Sequence, residues 1–313
     1  MNSPSPISSF SCFLPQEDDP KGFPAPEEPS PVHGKPLHIG ILVEGRYLLQ
    51  AQPLGVAAEL KARGHRVTVV VPESHAYGTG DKGRFQGMDL VISRGRSEGL
   101  LCLLHLAEVQ GVATTNRRAA IGSVHNKAEV AITLSAAGVP TPPAYVGPVR
   151  ELARSIPAEA YPIVLKAVSG DDRYPLRIVR SAPELARISW PEPAALAQRF
   201  QPGNGYDLKL YVIGRDVWAL RKRSRLDASP APESESTSLE CKAFHVFPAS
   251  AMEALALKCG ELFGLDYYSV DCRETTDGPV VIDVNDFPNY SGVAGADERL
   301  ADHALRCACR RKK

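Results

Sequence analysis

Several signatures that would name a function outright are absent. No apolar run approaches the roughly 20 residues that a membrane-spanning helix needs. The first residues carry no basic stretch followed by an apolar core, so no secretory leader is expected. Neither charge is in surplus, with Lys+Arg and Asp+Glu both at 36. The composition therefore advertises no basic field for nucleic acid or for an anionic membrane surface. Seven cysteines (Cys12, Cys102, Cys241, Cys259, Cys272, Cys307 and Cys309) form no CxxC pair and no His/Cys zinc spacing. The terminal "RCACRRKK" supplies two thiols without such a motif. Reduced thiols in a cytoplasmic protein are the expectation. No GxGxxG follows the first apolar strand, so a dinucleotide site of the Rossmann type is not supported.

What is present is a chain of 313 residues, 43% hydrophobic, enough for two or three domains with a sizeable core. Residues 1–36 are rich in Pro and Ser with acidic clusters, and a disordered tail is expected there. From "LHIGILVEG" onward, strand and helix patterns alternate through "QPLGVAAELKARG", "HRVTVVVP", "MDLVISRG", "GLLCLLHLAEVQG" and "VATTN". That alternation predicts an open parallel α/β sheet over 37–122. A helix opens near Lys127 and stops before Gly138. "YPIVLKAVSGDDRYPLRIVRS" then reads strand, turn, strand. A strand at "AALAQRF" and a hairpin around "IGRD" follow. Residues 226–243 are poor in apolar residues and read as a mobile loop. "SAMEALALKCGELFG" and "GADERLADHALRCACR" read as helices on either side of a second hairpin.

That second hairpin, "DYYSVDCRETTDGPVVIDVNDFPNY", carries the chemistry. Asp283 and Asn285 are two apart on an apolar strand and so share a face. If the turn lies near Asp277, Asp271 falls opposite Asp283. Two facing carboxylates repel, and a hard cation such as Mg2+ would hold them together with substrate phosphates. On that reasoning, removing Asp283 should relieve a repulsion and leave the ligand-free fold intact. Lys127 at a helix start and Lys166 inside "IVLKAV" are candidate phosphate partners. Arg221, Lys222 and Arg223 form a basic strand end that could meet a transferring phosphoryl group or an anionic substrate.

The order of "NKAEVAITLSAAGVPTP", "YPIVLKAVSG", "QRFQPGNGYDLKLYVIGRDVWALRKRS" and "SVDCRETTDGPVVIDVNDFP" resembles the ATP-grasp superfamily over most of residues 37–305. The resemblance implies an α/β fold with an N-terminal parallel domain (37–122), a central lobe (123–197) and a C-terminal lobe (198–313), the two lobes grasping ATP. It implies that Lys127 and Lys166 contact ATP phosphates. The backbone of Gln198, Arg199 and Phe200 would meet the adenine edge, with Asp207 near the ribose. Lys209 would face the terminal phosphate, where Arg221 and Arg223 are the further candidates from the basic strand end. Asp271, Asp283 and Asn285 would hold Mg2+, with Mn2+ as the alternative ion.

Within the superfamily, the chain resembles RimK-like and glutathione-synthase-type ligases. These join a carboxylate to an amine through an acyl phosphate, on an amino acid, peptide or related small molecule. It also shares features with inositol-phosphate-kinase-like enzymes: Asp stands at position 283 where RimK-like ligases usually carry Glu, and "LKLYVIG" leads into a basic run. A small-molecule kinase and a non-catalytic nucleotide-binding module are therefore the alternatives. Glu44, Arg46 and Tyr47 are candidates to contact the second substrate. No nucleic-acid or membrane partner is expected.

Overall fold

A computed structural model describes residues 35–169, 176–203, 205–224, 226, 244–246, 250–276 and 278–310. The Pro/Ser-rich tail, the "GDDRYP" turn after Lys166 and nearly all of the 226–243 loop lie outside these residues.

The first sheet contains β1 (His38–Val43), β2 (Arg66–Val70), β3 (Leu90–Arg94) and β4 (Ala113–Thr115). All four are parallel, in the order β2-β1-β3-β4. The inner strands β1 and β3 are almost wholly buried. That is why they read as unbroken apolar runs, since a parallel sheet is covered on both faces. Helices α1 (Ala51–Ala62), α2 (Glu98–Val109) and α3 (Arg118–His125) alternate with these strands. Gly64, just past α1, has φ of 83°, the left-handed conformation that a helix stop favours and glycine adopts freely.

After α4 (Lys127–Ala136) comes an antiparallel sheet of β5 (Ala144–Gly147), β6 (Ile163–Ala167), β7 (Arg177–Val179) and β8 (Ala195–Arg199), in the order β5-β8-β6-β7. Short helices α5 (Val149–Ser155) and α6 (Ala182–Ala186) connect its strands. α3, β5, α5 and α6 had no sequence expectation. Each is too short for a hydrophobic period to declare itself.

The third sheet is the largest. It contains β9 (Tyr206–Ile213), β10 (Asp216–Arg223), β11 (Phe244–Val246), β12 (Tyr267–Thr275) and β13 (Gly278–Asp286), in the order β11-β10-β9-β12-β13. Both expected hairpins are present, β9–β10 across Gly214 and Arg215, and β12–β13. α7 (Ser250–Phe263) precedes β12, and α8 (Ala296–Arg310) closes the fold. One sheet face (Leu208, Leu210, Val212, Val270, Val284) packs in one core with residues of α3, α4 and α7. On the opposite face Tyr211, Ile213, Leu220 and Tyr267 share a core with Leu300 and Ala304 of α8, and with Ile39 and Leu90 of the first sheet. Among the described residues no helix is long and apolar enough to cross a membrane.

Asn116, fully buried just past β4, fastens the first sheet to the third. Its amide nitrogen donates to the Tyr267 carbonyl (2.7 Å), and its oxygen accepts from the backbone N–H of Asp266 (2.7 Å) and Tyr267 (3.0 Å). Backbone groups buried without such partners are costly. Asn116→Ala is expected to lower stability by about 2–4 kcal/mol in denaturant unfolding. A loss below ~1 kcal/mol would mean that water replaces the amide.

Candidate active site

The register of β12 and β13 places Asp271 directly opposite Asp283, and Ser269 opposite Asn285. On the other side of β12, Lys209 of β9 lies opposite Asp271. Lys209, Asp271 and Asp283 therefore form one row across three strands. The pairing shifts register between Asp271 and Cys272, beside the acidic pair, and such a bulge can re-aim a side chain.

The two carboxylates do not face each other without counter-charge. Lys127 Nζ lies 2.5 Å from Asp283 Oδ2, and Lys209 Nζ lies 3.0 Å from Asp271 Oδ1. Asn285 Nδ2 donates to Asp271 Oδ2 at 3.0 Å. This corrects the expectation that Asp283 is a source of simple repulsion. Each acid has its own lysine, because α4 and β9 deliver ammonium groups that no local spacing reveals.

Lys127 is placed by local chemistry. Asn126 caps α4, its side-chain oxygen accepting from the N–H of Ala128 and Glu129. The Lys127 N–H donates to the Val168 carbonyl (2.8 Å), which ties the helix start to the end of β6. Lys166 enters from β6 itself. It is buried, and its Nζ donates to Gln198 Oε1 (2.7 Å) and to the Ile282 carbonyl (3.3 Å). It thus reaches from the second sheet to the residue before Asp283.

The electrostatics follow from this packing. Burial lowers the Lys166 pKa; Asp283 opposes the shift, and Lys127 adds to it. Burial alone would raise the Asp283 pKa, but Lys127 and Lys166 outweigh it and hold the carboxyl below its ordinary value. For Lys209, burial pulls downward, and Asp271 more than restores the ammonium.

Beside Lys166 is a slot lined by Val164, Leu176, Gln198, Phe200 and Ile282, with Arg273 at its edge. Its volume of about 40 Å³ is far below the ~300 Å³ at which ligand pockets begin. An aromatic base would enter only if the sheets part. The N–H groups of Arg199 and Phe200 are already donated to the carbonyls of Pro143 and Pro162. Those two N–H groups are thus engaged within the ligand-free structure, and the Gln198 side chain is held by Lys166. Asp207 pairs with Arg273 at 2.6 Å. Arg273 is buried and also bonds the Gln201 carbonyl (3.1 Å) and Ser224 Oγ.

Arg221 and Arg223 are not brought to the row. Lys222 lies opposite Asp207 in the β9–β10 register. Strand alternation therefore turns Lys222 to the face of Asp207 and Lys209, and its two neighbours to the other face. Arg221 there pairs with Glu274 at 2.6 Å.

Two arginines without a sequence expectation stand near the acidic strand. Arg94 ends β3 and Arg96 follows, at the carboxyl end of the parallel sheet, where open α/β sheets take ligands. That topology was the available signal. Arg96 pairs with buried Asp286 at 3.3 Å. Arg94 is buried, stacks 4.1 Å above the Tyr47 ring and donates to Gln50 Oε1 at 3.0 Å. Its Nε is buried without a hydrogen-bond partner among the described residues. Burial lowers the Arg94 pKa. Glu44, a candidate substrate contact, is turned inward. It is buried, accepts from the N–H of Ser97 (2.5 Å) and Arg96, and pairs with Arg46 (2.6 Å).

Asp271, Asp283 and Asn285 together offer two carboxylates and an amide oxygen, a hard-oxygen set suited to Mg2+. The three residues fit the ion.

A pH dependence follows from the lowered Asp283 pKa. A depressed carboxylate contributes stability that is complete above its unfolded value and is lost as pH falls through the folded one. The ordinary value is 3.8, so the loss begins near it and continues below. Asp283→Asn leaves Lys127 and Lys166 without their counter-charge and is expected to cost on the order of 2 kcal/mol at neutral pH. The two proteins should converge in stability as pH drops below about 3.8. Unfolding titrations of both across the acid range measure this, and parallel curves would refute the coupling.

No family model matches the chain. A probable α-L-glutamate ligase of Hydrogenovibrio crunogenus is 27% identical over 84% of this chain and 92% of its own length. A RimK-domain ATP-grasp protein of Sphaerobacter thermophilus superposes with a TM-score of 0.68 at 23% identity, over 86% of this chain and 99% of that one. The ATP-grasp ligase PsnB, solved with a minimal precursor, Mg and ADP, gives 0.67 at 20% identity over 88% and 99%. With strand order, lysines and acidic hairpin as described, the chain has the fold of ATP-grasp proteins and is similar over most of its length to probable α-L-glutamate ligases.

Proposed function

We propose that this chain is an ADP-forming ligase that joins a carboxylate to an amine at the expense of ATP, with an amino acid, peptide or related small molecule as substrate. One observation carries the proposal: a row of alternating charge, Lys209–Asp271–Asp283–Lys127, stands beside buried Lys166 and an apolar slot. Phosphoryl transfer asks a protein chiefly for positioning and charge neutralisation, and such a row supplies both.

In this reading the slot takes the base, and Lys127 and Lys166 turn to the phosphates. Asp271, Asp283 and Asn285 hold Mg2+, which neutralises phosphate charge when bound. Lys209 faces the terminal phosphate. A substrate carboxylate oxygen attacks the γ-phosphorus and ADP leaves. An amine then attacks the acyl carbon and phosphate leaves. The names of the relatives favour ligation over the phosphorylation of a hydroxyl. We place the carboxylate substrate near Arg96, whose partner Asp286 is three residues from Asp283. A cytoplasmic location belongs to the same proposal.

Mg-ATP at millimolar concentration is expected to raise the melting temperature by several degrees, since a ligand bound only by the native state must stabilise it. The Mg-dependent part of that rise should vanish in Asp283→Asn, and its survival there would refute the metal assignment. Phosphorus NMR with separate pools of amino acids or peptides and of inositols or sugars tests the chemistry. ADP and phosphate forming only with the first pool supports ligation. A phosphoester from the second would instead indicate a kinase, and ATP binding without turnover in either pool would count against catalysis on these substrate classes. Once a substrate is found, Arg96→Ala should raise KM for the carboxylate about tenfold or more while leaving KM for ATP within about twofold. Equal changes in both would remove Arg96 from the substrate site.

A further inference from the structure

We propose that Asp266, His303 and Cys307 form a zinc-binding site distinct from the acidic hairpin. One ligand atom from each lies within 4.8 Å of the other two. Asp266 immediately precedes β12, and His303 and Cys307 sit one turn apart on α8. Residues four apart on a helix share a face, so α8 presents a nitrogen and a sulfur together, and the chain before β12 supplies the oxygen. Asp266 and Asp271 are five residues apart, or about 17 Å along an extended strand. The two sites are therefore separate.

The spacing suits the ion. His303 Nε2 and Asp266 Oδ1 are 3.1 Å apart. Tetrahedral zinc, with bonds of about 2.0–2.2 Å to nitrogen and oxygen, holds two such ligands roughly 3.4 Å apart. Opening the pair by a few tenths of an ångström, with a modest adjustment of the Cys307 rotamer, would complete three ligands. A water would take the fourth position, because Asp266 and Cys307 are only half-buried.

The surroundings pre-orient these ligands. Asp266 Oδ2 accepts from Thr115 Oγ1 at 3.0 Å, and its Oδ1 bonds His303 Nε2. The His303 ring is buried, stands edge-on to Tyr267 with centroids 5.3 Å apart, and packs so closely on Gly214 that a Cβ there would lie 2.4 Å from Nδ1. Outer contacts of this kind are what hold metal ligands in place. A donor set of one nitrogen, one oxygen and one sulfur selects zinc over Mg2+, which prefers oxygen throughout. Binding would release the Cys307 thiol proton to solvent and shift the His303 Nε2 proton, directed at Asp266 without the ion, to Nδ1, leaving a thiolate and a neutral imidazole on the ion.

The test uses the full chain, stripped with a chelator and titrated with zinc against a chromophoric competitor, then separately with Co2+. One equivalent of zinc should bind and raise the melting temperature. Co2+ should give a thiolate-to-cobalt charge-transfer band with tetrahedral visible absorption. Both signals should be lost in Cys307→Ser and persist in Cys309→Ser and Asp283→Asn. His303→Asn should weaken zinc at least tenfold. Because His303 is buried, Cys307→Ser at a half-buried position decides the matter if the histidine variant does not fold. No zinc uptake, or uptake and a cobalt–thiolate band that survive Cys307→Ser, would overturn the proposal.

Discussion

The cross-strand pairing of Asp271 with Asp283 is the constraint around which the rest is arranged. Two carboxylates on adjacent strands cannot both stay charged in a partly buried place without compensation. The fold answers with ammonium groups from three different elements: Lys127 from the start of α4, Lys166 from β6 and Lys209 from β9. Each carboxylate of the ligand-free site thereby has a counter-charge from within the fold. In the proposed function the lysines move to phosphate oxygens and the metal replaces them on the carboxylates. Ligand binding is then an exchange of partners, and little unpaired charge is exposed at any stage.

That exchange requires movement. Lys166 crosses from the second sheet to the Ile282 carbonyl in the third and lines a slot too small for a base. The same lysine is depressed by its own burial, so its charged form gains when phosphate enters. Buried Arg273, clasping Asp207, Ser224 and the Gln201 carbonyl, ties β9, β12 and the chain after β8 together beside the slot.

The first sheet has a different part. Its strands carry no member of the charged row, yet the carboxyl end of β3 brings Arg94 and Arg96 beside Asp286, the last residue of the acidic strand. Glu44 is spent on holding that turn, through the N–H groups of Arg96 and Ser97. Asn116 and the core shared with α8 set how close the first sheet comes. A substrate placed near Arg96 would owe its distance from the reacting phosphate to packing well away from either.

Much of this was legible in order along the chain. Alternating apolar runs specified the parallel sheet, glycines marked the helix stops, and a short polar turn between two apolar strands placed Asp271 opposite Asp283. These features depend on neighbours within a few residues, where period and turn chemistry suffice. The pairing of Lys127 with Asp283, 156 residues away, does not. Nor do the Lys166–Ile282 contact, the Asp207–Arg273 clasp, the turning of Arg221 toward Glu274, or the meeting of Asp266 with His303 and Cys307. Local sequence determined which side chains share a strand face and which helix starts are capped. Only the tertiary structure decided which charges neutralise which, because Coulomb partners are set by distances between elements, and the packing of three sheets fixes those distances.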